Sequence, residues 1–266
     1  MNRLAKLVLH PHPIRRIARE ILKRSGLGTF EHRLQLGAVE RPHYGYIVYH
    51  AADLARRLGH REVSVLEFGV AEGAGLVNLE EHARQVSRLF DVAVRVYAFD
   101  TGEGLPEPVD YRDLPFAWKK GSFPMNAAEV RAKLQQAELI LGDVKDTTGD
   151  FFARYHPAPI GAIAYDLDFY SSTAAALRML NAGEQYYLPR VFCYFDDIIG
   201  GEIELHSDFT GERLAIREFN ETHRDIKIDS AYHLLSRTVV EPWFHQIRIC
   251  HFLQHSRYND FVGKEG

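Results

Sequence analysis

Short apolar runs alternate with helical segments through most of the chain, and this alternation predicts an α/β fold with a largely parallel sheet covered on both faces. Five strand-like runs precede the last third, at 63–68, 92–99, 138–141, 160–165 and 190–195. The helical segments between and after them are 44–58, 75–89, 127–136, 171–180 and 212–222. Two more strand-like runs, 226–235 and 245–253, close the pattern.

A basic amphipathic segment precedes this alternation. Residues 3–24 are rich in Arg and Lys, and apolar side chains recur there at helical spacing, namely Ile14, Ile17, Ala18, Ile21 and Leu22. Such a helix can lie on an anionic membrane or act as a targeting peptide. We favour packing on its own domain or on a partner in a homo-oligomer. The predicted organisation is therefore an extension over 1–40, one domain over 41–258 and a tail over 259–266.

Composition excludes several classes of protein. The formal net charge of −4 gives no support for nucleic-acid binding through a general basic field. No apolar run approaches the roughly 18 residues that a membrane span needs. Cys193 and Cys250 each lie inside an apolar run, which indicates core residues in a reducing compartment rather than a disulfide. We expect a cytoplasmic protein.

Acidic residues recur where the apolar runs end. Asp100, Asp143, Asp166 and Asp196 each stand at or just after the carboxyl end of such a run. In a parallel sheet these ends lie along one edge, which is where such sheets bind ligands. Four converging carboxylates repel one another unless a cation or hydrogen-bond donors lie between them. The pattern predicts a functional site at this edge.

The first strand–helix junction is rich in glycine. Glu67 is followed by Gly69, Gly73 and Gly75, a G-x-x-x-G-x-G spacing. Glycines at such a junction allow a tight bend and a close approach of backbone to a nucleoside. The spacing differs from the G-x-G-x-x-G of dinucleotide-binding enzymes and fits a turn that holds the amino-acid half of S-adenosylmethionine. The alternative is a glycine-rich turn required only by packing.

The next two strand ends suit the nucleoside part of the same cofactor. Asp100 can accept hydrogen bonds from both hydroxyls of a ribose, and Asp143, after Gly142, can accept one from the exocyclic amine of adenine. For Asp143 the alternative is a turn or helix-capping acid.

A third group of acids suits a hard cation. Asp166 and Asp168 follow one strand, and Asp196 and Asp197 follow the next. Oxygen-only ligands from neighbouring strand ends favour Mg²⁺, which can polarise an acceptor hydroxyl while a nearby carboxylate takes its proton. Of the two acids two positions apart, one is expected to ligate and the other to face the acceptor. The alternative is a set of caps and turns, since Ser171 and Ser172 precede a helix.

Together, the segments VLEFGVAEGAGL, VYAFDTGEGLP, LILGDVKDT, YDLDFYSSTAAAL and YFDD resemble class I S-adenosylmethionine-dependent methyltransferases. The chain is similar in particular to the macrocin-type, metal-dependent sugar O-methyltransferases of macrolide and aminocoumarin pathways. The resemblance covers about 46–197 and implies a Rossmann-like, seven-stranded sheet whose last strand is antiparallel.

The resemblance also implies a role for each acid and glycine. The methionine end of S-adenosylmethionine is expected at Glu67, Gly69, Gly73 and Gly75, its ribose at Asp100 and its adenine near Gly142 and Asp143. The implied Mg²⁺ ligands are Asp166, Asp196 and Asp197, and the implied general base is Asp168. The acceptor is expected to be a hydroxylated small molecule, whose pocket is shaped by the loop over 101–125, with Trp118 and Phe123, and by the chain after Gly200.

Two other functions remain open. A catalytically inactive, methyltransferase-like scaffold would keep the nucleoside pocket without the chemistry. A Mg²⁺-dependent phosphatase is suggested by the D-x-D step, although Tyr170 stands where those enzymes carry Thr or Val and no Lys lies between Asp168 and Asp196.

Overall fold

The computed structural model of the chain describes residues 13–263 and contains one seven-stranded sheet in the order β3-β2-β1-β4-β5-β7-β6. The strands are β1 Glu62–Phe68, β2 Ala93–Asp100, β3 Glu138–Leu141, β4 Ile160–Tyr165, β5 Tyr187–Phe195, β6 Ile226–Ser230 and β7 Ile247–Phe252. β1 to β5 pair in parallel, and β7 is antiparallel to both of its neighbours. The predicted fold class is confirmed.

Helices lie along both faces of this sheet. They are α1 Pro13–Ser25, α2 Phe30–Gln35, α3 Pro42–Arg57, α4 Ala74–Phe90, α5 Ala127–Lys133, α6 Val144–Thr147, α7 Phe151–Tyr155, α8 Tyr170–Leu177, α9 Gly211–Thr222 and α10 Tyr232–Leu235. The side chains of β1 divide between two cores. Val63 and Val65 pack with α3 and α4, whereas Leu66 and Phe68 pack with α8 and α9. Burial on both faces explains why the central strands are continuously apolar.

Several predicted elements end earlier than expected. The helix predicted over 127–136 stops at Lys133, because the Glu80 carboxylate accepts the backbone N–H groups of residues 135, 136 and 137. The strand predicted over 226–235 ends at Ser230 and gives way to α10, whose Leu234 is fully buried in the α3/α4 core. The short helices α2, α6 and α7 were not predicted.

The amphipathic helix α1 is only loosely packed on the domain. Arg19 pairs with Glu241, and Lys23 pairs with Glu40 at 2.6 Å, but Ile17 and Ile21 are about half exposed. Ile17 and Ile21 are therefore not part of a core in the described residues. The predicted basic positions before residue 13, and the end of the predicted tail after residue 263, lie outside the described residues.

Two further predictions concern residues 13–263. No helix there has the length and apolar character that crossing a bilayer requires. Cys193 and Cys250 are both buried and unbonded to each other, as expected for core residues.

Candidate functional site

A cavity of about 610 Å³ opens at the carboxyl edge of the sheet, where the acids were predicted to converge. Ten of the predicted site residues line it, namely Glu67, Gly69, Gly75, Asp100, Gly142, Asp143, Asp166, Asp168, Asp196 and Asp197. Gly73 does not line the cavity. It caps the N-terminus of α4 with φ +82°, and a Cβ on it would lie 2.9 Å from Val130 Cγ1.

Two glycines at the end of β1 are required by close approach. At Gly69, with φ +84°, a Cβ would lie 1.8 Å from the carbonyl oxygen of Asp166, so no other residue fits this crossing of the β1 and β4 ends. At Gly75 a Cβ would lie 2.6 Å from Glu67 Oε1. The missing side chains leave room for the buried carboxylate and for a ligand beside it.

The Glu67 carboxylate is buried at the base of the cavity with one oxygen unsatisfied. The side chain is 1% exposed, and Tyr44 donates its hydroxyl to Oε1 at 2.7 Å. Oε2 is buried and has no hydrogen-bond partner among residues 13–263. Burial raises the pKa of Glu67 to about 8. A cationic donor at Oε2 would satisfy this oxygen and favour its ionised form.

Asp100 holds the glycine-rich turn in place. Its Oδ2 accepts the backbone N–H groups of Val70 at 2.8 Å and Ala71 at 3.1 Å, and its Oδ1 accepts that of Gly102 at 2.7 Å. Lone pairs of Oδ1 remain for a further donor in the cavity. The carboxylate at the end of β2 is thus fixed by backbone on both sides before any ligand binds.

Asp143 caps a short helix, as the alternative interpretation of this residue expected. Its Oδ1 accepts the Lys145 N–H at 2.9 Å at the start of α6. The residue also lines the cavity, as does Gly142, whose N–H donates to the Asp100 carbonyl at 2.9 Å. Capping and a place in the cavity wall are compatible here.

Three carboxylates from β4 and β5 converge at the other end of the cavity. Each of Asp166, Asp196 and Asp197 offers an oxygen, and these atoms lie within 4.8 Å of one another. Burial and the neighbouring acids raise the pKa values of Asp166 and Asp197 well above the usual range. The same causes raise the pKa of Asp168 to about 7. Without a cation between them these carboxyl groups therefore favour their protonated forms, and a bound cation would favour the ionised ones.

The cluster is held by hydrogen bonds from the surrounding backbone and side chains. Asp168 has φ +55°, and its N–H donates to Asp197 Oδ2 at 2.8 Å, which turns its side chain away from the extended direction of β4. The Asp197 N–H in turn donates to the buried Glu212 at 3.0 Å. Tyr194 donates its hydroxyl to Asp196. Both acids of the D-x-D step line the cavity, and the left-handed backbone of Asp168 departs from the extended chain there.

Three residues that line the cavity were not singled out by the sequence analysis. Arg41 precedes α3, and Glu204 and His206 lie in the chain between β5 and α9. Glu204 Oε2 and His206 Nδ1 are buried without a partner among the described residues. None of the three stands at a strand end or in a glycine-rich turn. Only their placement in the folded chain marks them.

The loop over 101–125 is anchored beside the acid cluster. The buried carboxylate of Asp113 accepts both the N–H and the hydroxyl of Ser171 at the start of α8, at 2.8 and 2.9 Å. Trp118 and Phe123 pack with ring centroids 5.2 Å apart, and both line the cavity. The loop thus forms an aromatic wall of the site.

No protein-family model matches the chain, and no curated protein matches its sequence. Among solved structures, the calicheamicin methyltransferase CalS11 matches with a TM-score of 0.54 and 18% identity over 94% of this chain and 89% of that one. The fold is that of a class I methyltransferase. The O-methyltransferase TomG of Streptomyces achromogenes matches with a TM-score of 0.44 and 17% identity over 94% of this chain and 93% of that one. For the O-methyltransferase NovP the values are 0.45 and 16%, over 69% and 82%.

The methyltransferase fold gives the two ends of the cavity different surroundings. The β1–β2–β3 end has a glycine-rich turn and acids that each accept hydrogen bonds from protein donors. The β4–β5 end brings three carboxylates within 4.8 Å of one another, and Asp196 and Asp197 among them also accept hydrogen bonds from protein donors. Both ends open into one space.

Proposed function

We propose that this protein is an S-adenosylmethionine-dependent O-methyltransferase that acts on a hydroxyl of a sugar or another small natural product with the help of Mg²⁺. The observation that carries the proposal is the single cavity, because it joins a glycine-lined turn with an unsatisfied buried carboxylate to a cluster of three acids. The catalytic unit we assign to 41–258, with 1–40 and 259–266 as flanking segments.

The methionine end of the cofactor would be held by the β1–α4 turn. Gly69 and Gly75 provide space that any Cβ would fill, and Glu67 Oε2 lacks a partner that the cofactor's ammonium group would supply. Gly73 contributes through the turn itself, since its left-handed backbone starts α4. The acceptor oxygen of Glu67 and the space beside it therefore fit an amino acid bound through its ammonium group.

The nucleoside part would lie along the next two strand ends. Asp100 is fixed by three backbone donors and would accept from the ribose hydroxyls. Gly142 and Asp143 would border the adenine. When bound, the cofactor supplies a methyl group on a sulfonium, which any nucleophilic oxygen aligned with it can take.

The acid cluster would hold Mg²⁺ through Asp166, Asp196 and Asp197. Oxygen-only ligands fit this ion, and the raised pKa values of Asp166 and Asp197 reflect the charge that a cation would compensate. A bound dication lowers the pKa of a neighbouring hydroxyl and orients it.

Asp168 is the proposed general base. It lines the cavity beside the cluster, and a pKa of about 7 suits a group that accepts a proton near neutral pH. Its left-handed backbone is held by the bond to Asp197, so its carboxylate has a defined place relative to the cluster. The acceptor itself would contact the aromatic wall of Trp118 and Phe123.

Calorimetric titration and a methyl-transfer assay test the proposal. We expect S-adenosylmethionine and S-adenosylhomocysteine to bind the folded protein, and methyl transfer to a panel of hydroxylated small molecules to require Mg²⁺. Binding of these nucleosides that does not depend on Mg²⁺, together with no methyl transfer to any acceptor, would instead support a scaffold. If neither nucleoside binds, the proposal is wrong.

A further inference from the structure

Arg41 is a cation in the cavity wall for which the described protein provides no acidic partner. It is the N-cap residue of α3 and has a left-handed backbone, φ 38° and ψ 67°. Its guanidinium carbon lies 5.7 Å from the centre of the Tyr44 ring. None of the ion pairs among residues 13–263 includes it, and the adjacent Glu40 pairs with Lys23 instead. An Arg in a partly buried position usually faces an acid or an anionic ligand.

The carboxylate of Glu67, which has an unsatisfied oxygen, borders the same cavity as Arg41. Tyr44 connects the two residues, since its ring lies under the Arg41 guanidinium and its hydroxyl donates to Glu67 Oε1. The charge of Arg41 also lowers the pKa of Glu67, although burial outweighs it. Yet the two charges do not pair, and Glu67 Oε2 remains buried without a partner. A guanidinium group and a carboxyl group that a cationic ligand would ionise therefore border the same cavity without pairing with each other.

The start of α4 adds a third component. Gly73 caps this 17-residue helix without any side-chain hydrogen bond, and Ala74 and Gly75 line the cavity beside Glu67. The N-terminus of a helix attracts an anion. Positive potential from Arg41 and from the N-terminus of α4 thus lies in the same part of the cavity wall as the Glu67 carboxyl group.

We propose that Arg41 and Glu67 together form a receptor for a free amino-acid group, in which Arg41 pairs with the α-carboxylate and Glu67 with the α-ammonium. The proposal rests on the proposed function and assigns Arg41 as a cofactor-specificity residue. The planar guanidinium can donate two parallel hydrogen bonds to a carboxylate, and a lysine cannot reproduce that geometry.

The backbone around Arg41 is held by the methyltransferase domain itself. His82, in α4 and 2% exposed, makes a 2.8 Å hydrogen bond through Nε2 to the carbonyl oxygen of Glu40. Since a carbonyl only accepts, this nitrogen carries the proton. α4 therefore fixes both Gly75, inside the glycine-rich turn, and the residue before Arg41. His82 acts as a positioning residue.

The test compares S-adenosylmethionine with its decarboxylated analogue, which keeps the amine and lacks only the carboxylate. Binding to the full chain is measured by calorimetry. We expect the wild type to prefer the carboxylated ligand by about 10- to 100-fold, the range for hydrogen bonds between charged groups. Arg41→Gln should reduce this preference to about threefold or less, mainly by weakening S-adenosylmethionine. Arg41→Lys should retain part of it.

Lys145→Gln is the matched control, because Lys145 is a cation that lines the same cavity beside Asp143, where the proposed function places the adenine and not the amino-acid group. It should leave the preference unchanged. If the wild type binds both ligands equally, or if Arg41→Gln folds and keeps the full preference, the assignment of Arg41 is wrong while the proposed function stands. If the wild type binds neither ligand, the proposed function fails and the inference with it. Thermal unfolding of each variant separates loss of folding from loss of recognition, and if Arg41→Gln does not fold, Arg41→Lys takes its place, because an unchanged preference in that variant would contradict pairing through the planar guanidinium.

Discussion

The carboxylates at the two ends of the cavity have different surroundings. At the β1–β2–β3 end, Asp100 accepts three backbone N–H groups and Asp143 accepts one, so the protein itself supplies the donors. At the β4–β5 end, Asp166 and Asp197 are crowded against other acids, and their pKa values are raised well above the usual range. One end is preorganised, and the other is incomplete without a cation.

This difference indicates how one sheet edge can serve two ligands. Backbone donors fix a carboxylate so that it can accept from a neutral hydroxyl or amine without a large change in charge. Uncompensated acids instead hold repulsion that a dication relieves on binding. Glu67 is intermediate, with one oxygen satisfied by Tyr44 and the other by nothing in the described chain. We therefore expect changes at the two ends to affect different measurements.

The largest effect should come from Asp166→Asn. This change removes one proposed ligand of the cation, and turnover should fall by about 1,000-fold, beyond the 10- to 100-fold typical of groups that only support a ligand. Affinity for S-adenosylhomocysteine should change little. Asp143→Asn is the matched change at the other end, and it should alter nucleoside affinity while the Mg²⁺ dependence stays normal. Equal effects of both variants on both measurements would remove the distinction between the ends.

Asp168→Asn should have the next largest effect. Asparagine tolerates the left-handed backbone at this position and keeps the N–H bond to Asp197, so the fold should be retained. Loss of the proposed base should reduce turnover by about 100-fold or more. Cofactor affinity should stay within about twofold of wild type. A fully active variant would show that another group takes the proton.

Elements were predictable where local pattern and tertiary packing agree. β3 and β4 have the predicted bounds, 138–141 and 160–165, because each apolar run is followed at once by residues that leave the strand. The end of α5 was not predictable, since it depends on Glu80, more than fifty residues away. α10 replaces part of a predicted strand because Leu234 packs into the α3/α4 core, and the local sequence pattern does not indicate this packing.

The same distinction holds for the site. Acids at strand ends were recognisable because topology alone brings parallel strand ends together, and ten predicted residues do line one cavity. Arg41 was not recognisable, because it enters the cavity through the turn before α3 and through the hydrogen bond from His82 to residue 40. Nothing in the neighbouring sequence indicates that contact.

A third prediction concerns the stability of the protein with and without Mg²⁺. A ligand present at 100 times its dissociation constant stabilises the folded state by about 2.7 kcal/mol, which for a domain of this size raises the Tm by several degrees. We expect this shift for wild type and Glu67→Gln, with reversal by a chelator. Asp166→Asn should show little of it. A wild-type Tm that is insensitive to Mg²⁺ would argue against a cation site at the β4–β5 end.

The smallest effect should appear in the pH dependence of the ligand-free protein after Glu67→Gln. Burial raises the pKa of Glu67 to about 8, above its ordinary value of 4.5, so the folded state binds a proton that the unfolded state releases between these pH values. The contribution of this group to stability is complete below pH 4.5 and is lost as pH rises towards 8.

Glutamine does not titrate but can still accept the Tyr44 hydroxyl. The variant should therefore gain about 3 to 4 kcal/mol relative to wild type between pH 5 and pH 8 in denaturant unfolding, since each pKa unit corresponds to about 1.4 kcal/mol. It should also lose affinity for S-adenosylmethionine, because the amide cannot pair with an ammonium group as a carboxylate does. A difference in stability that stays constant with pH would mean that Glu67 is already ionised in the ligand-free fold, and that this end of the cavity needs no ligand to complete it.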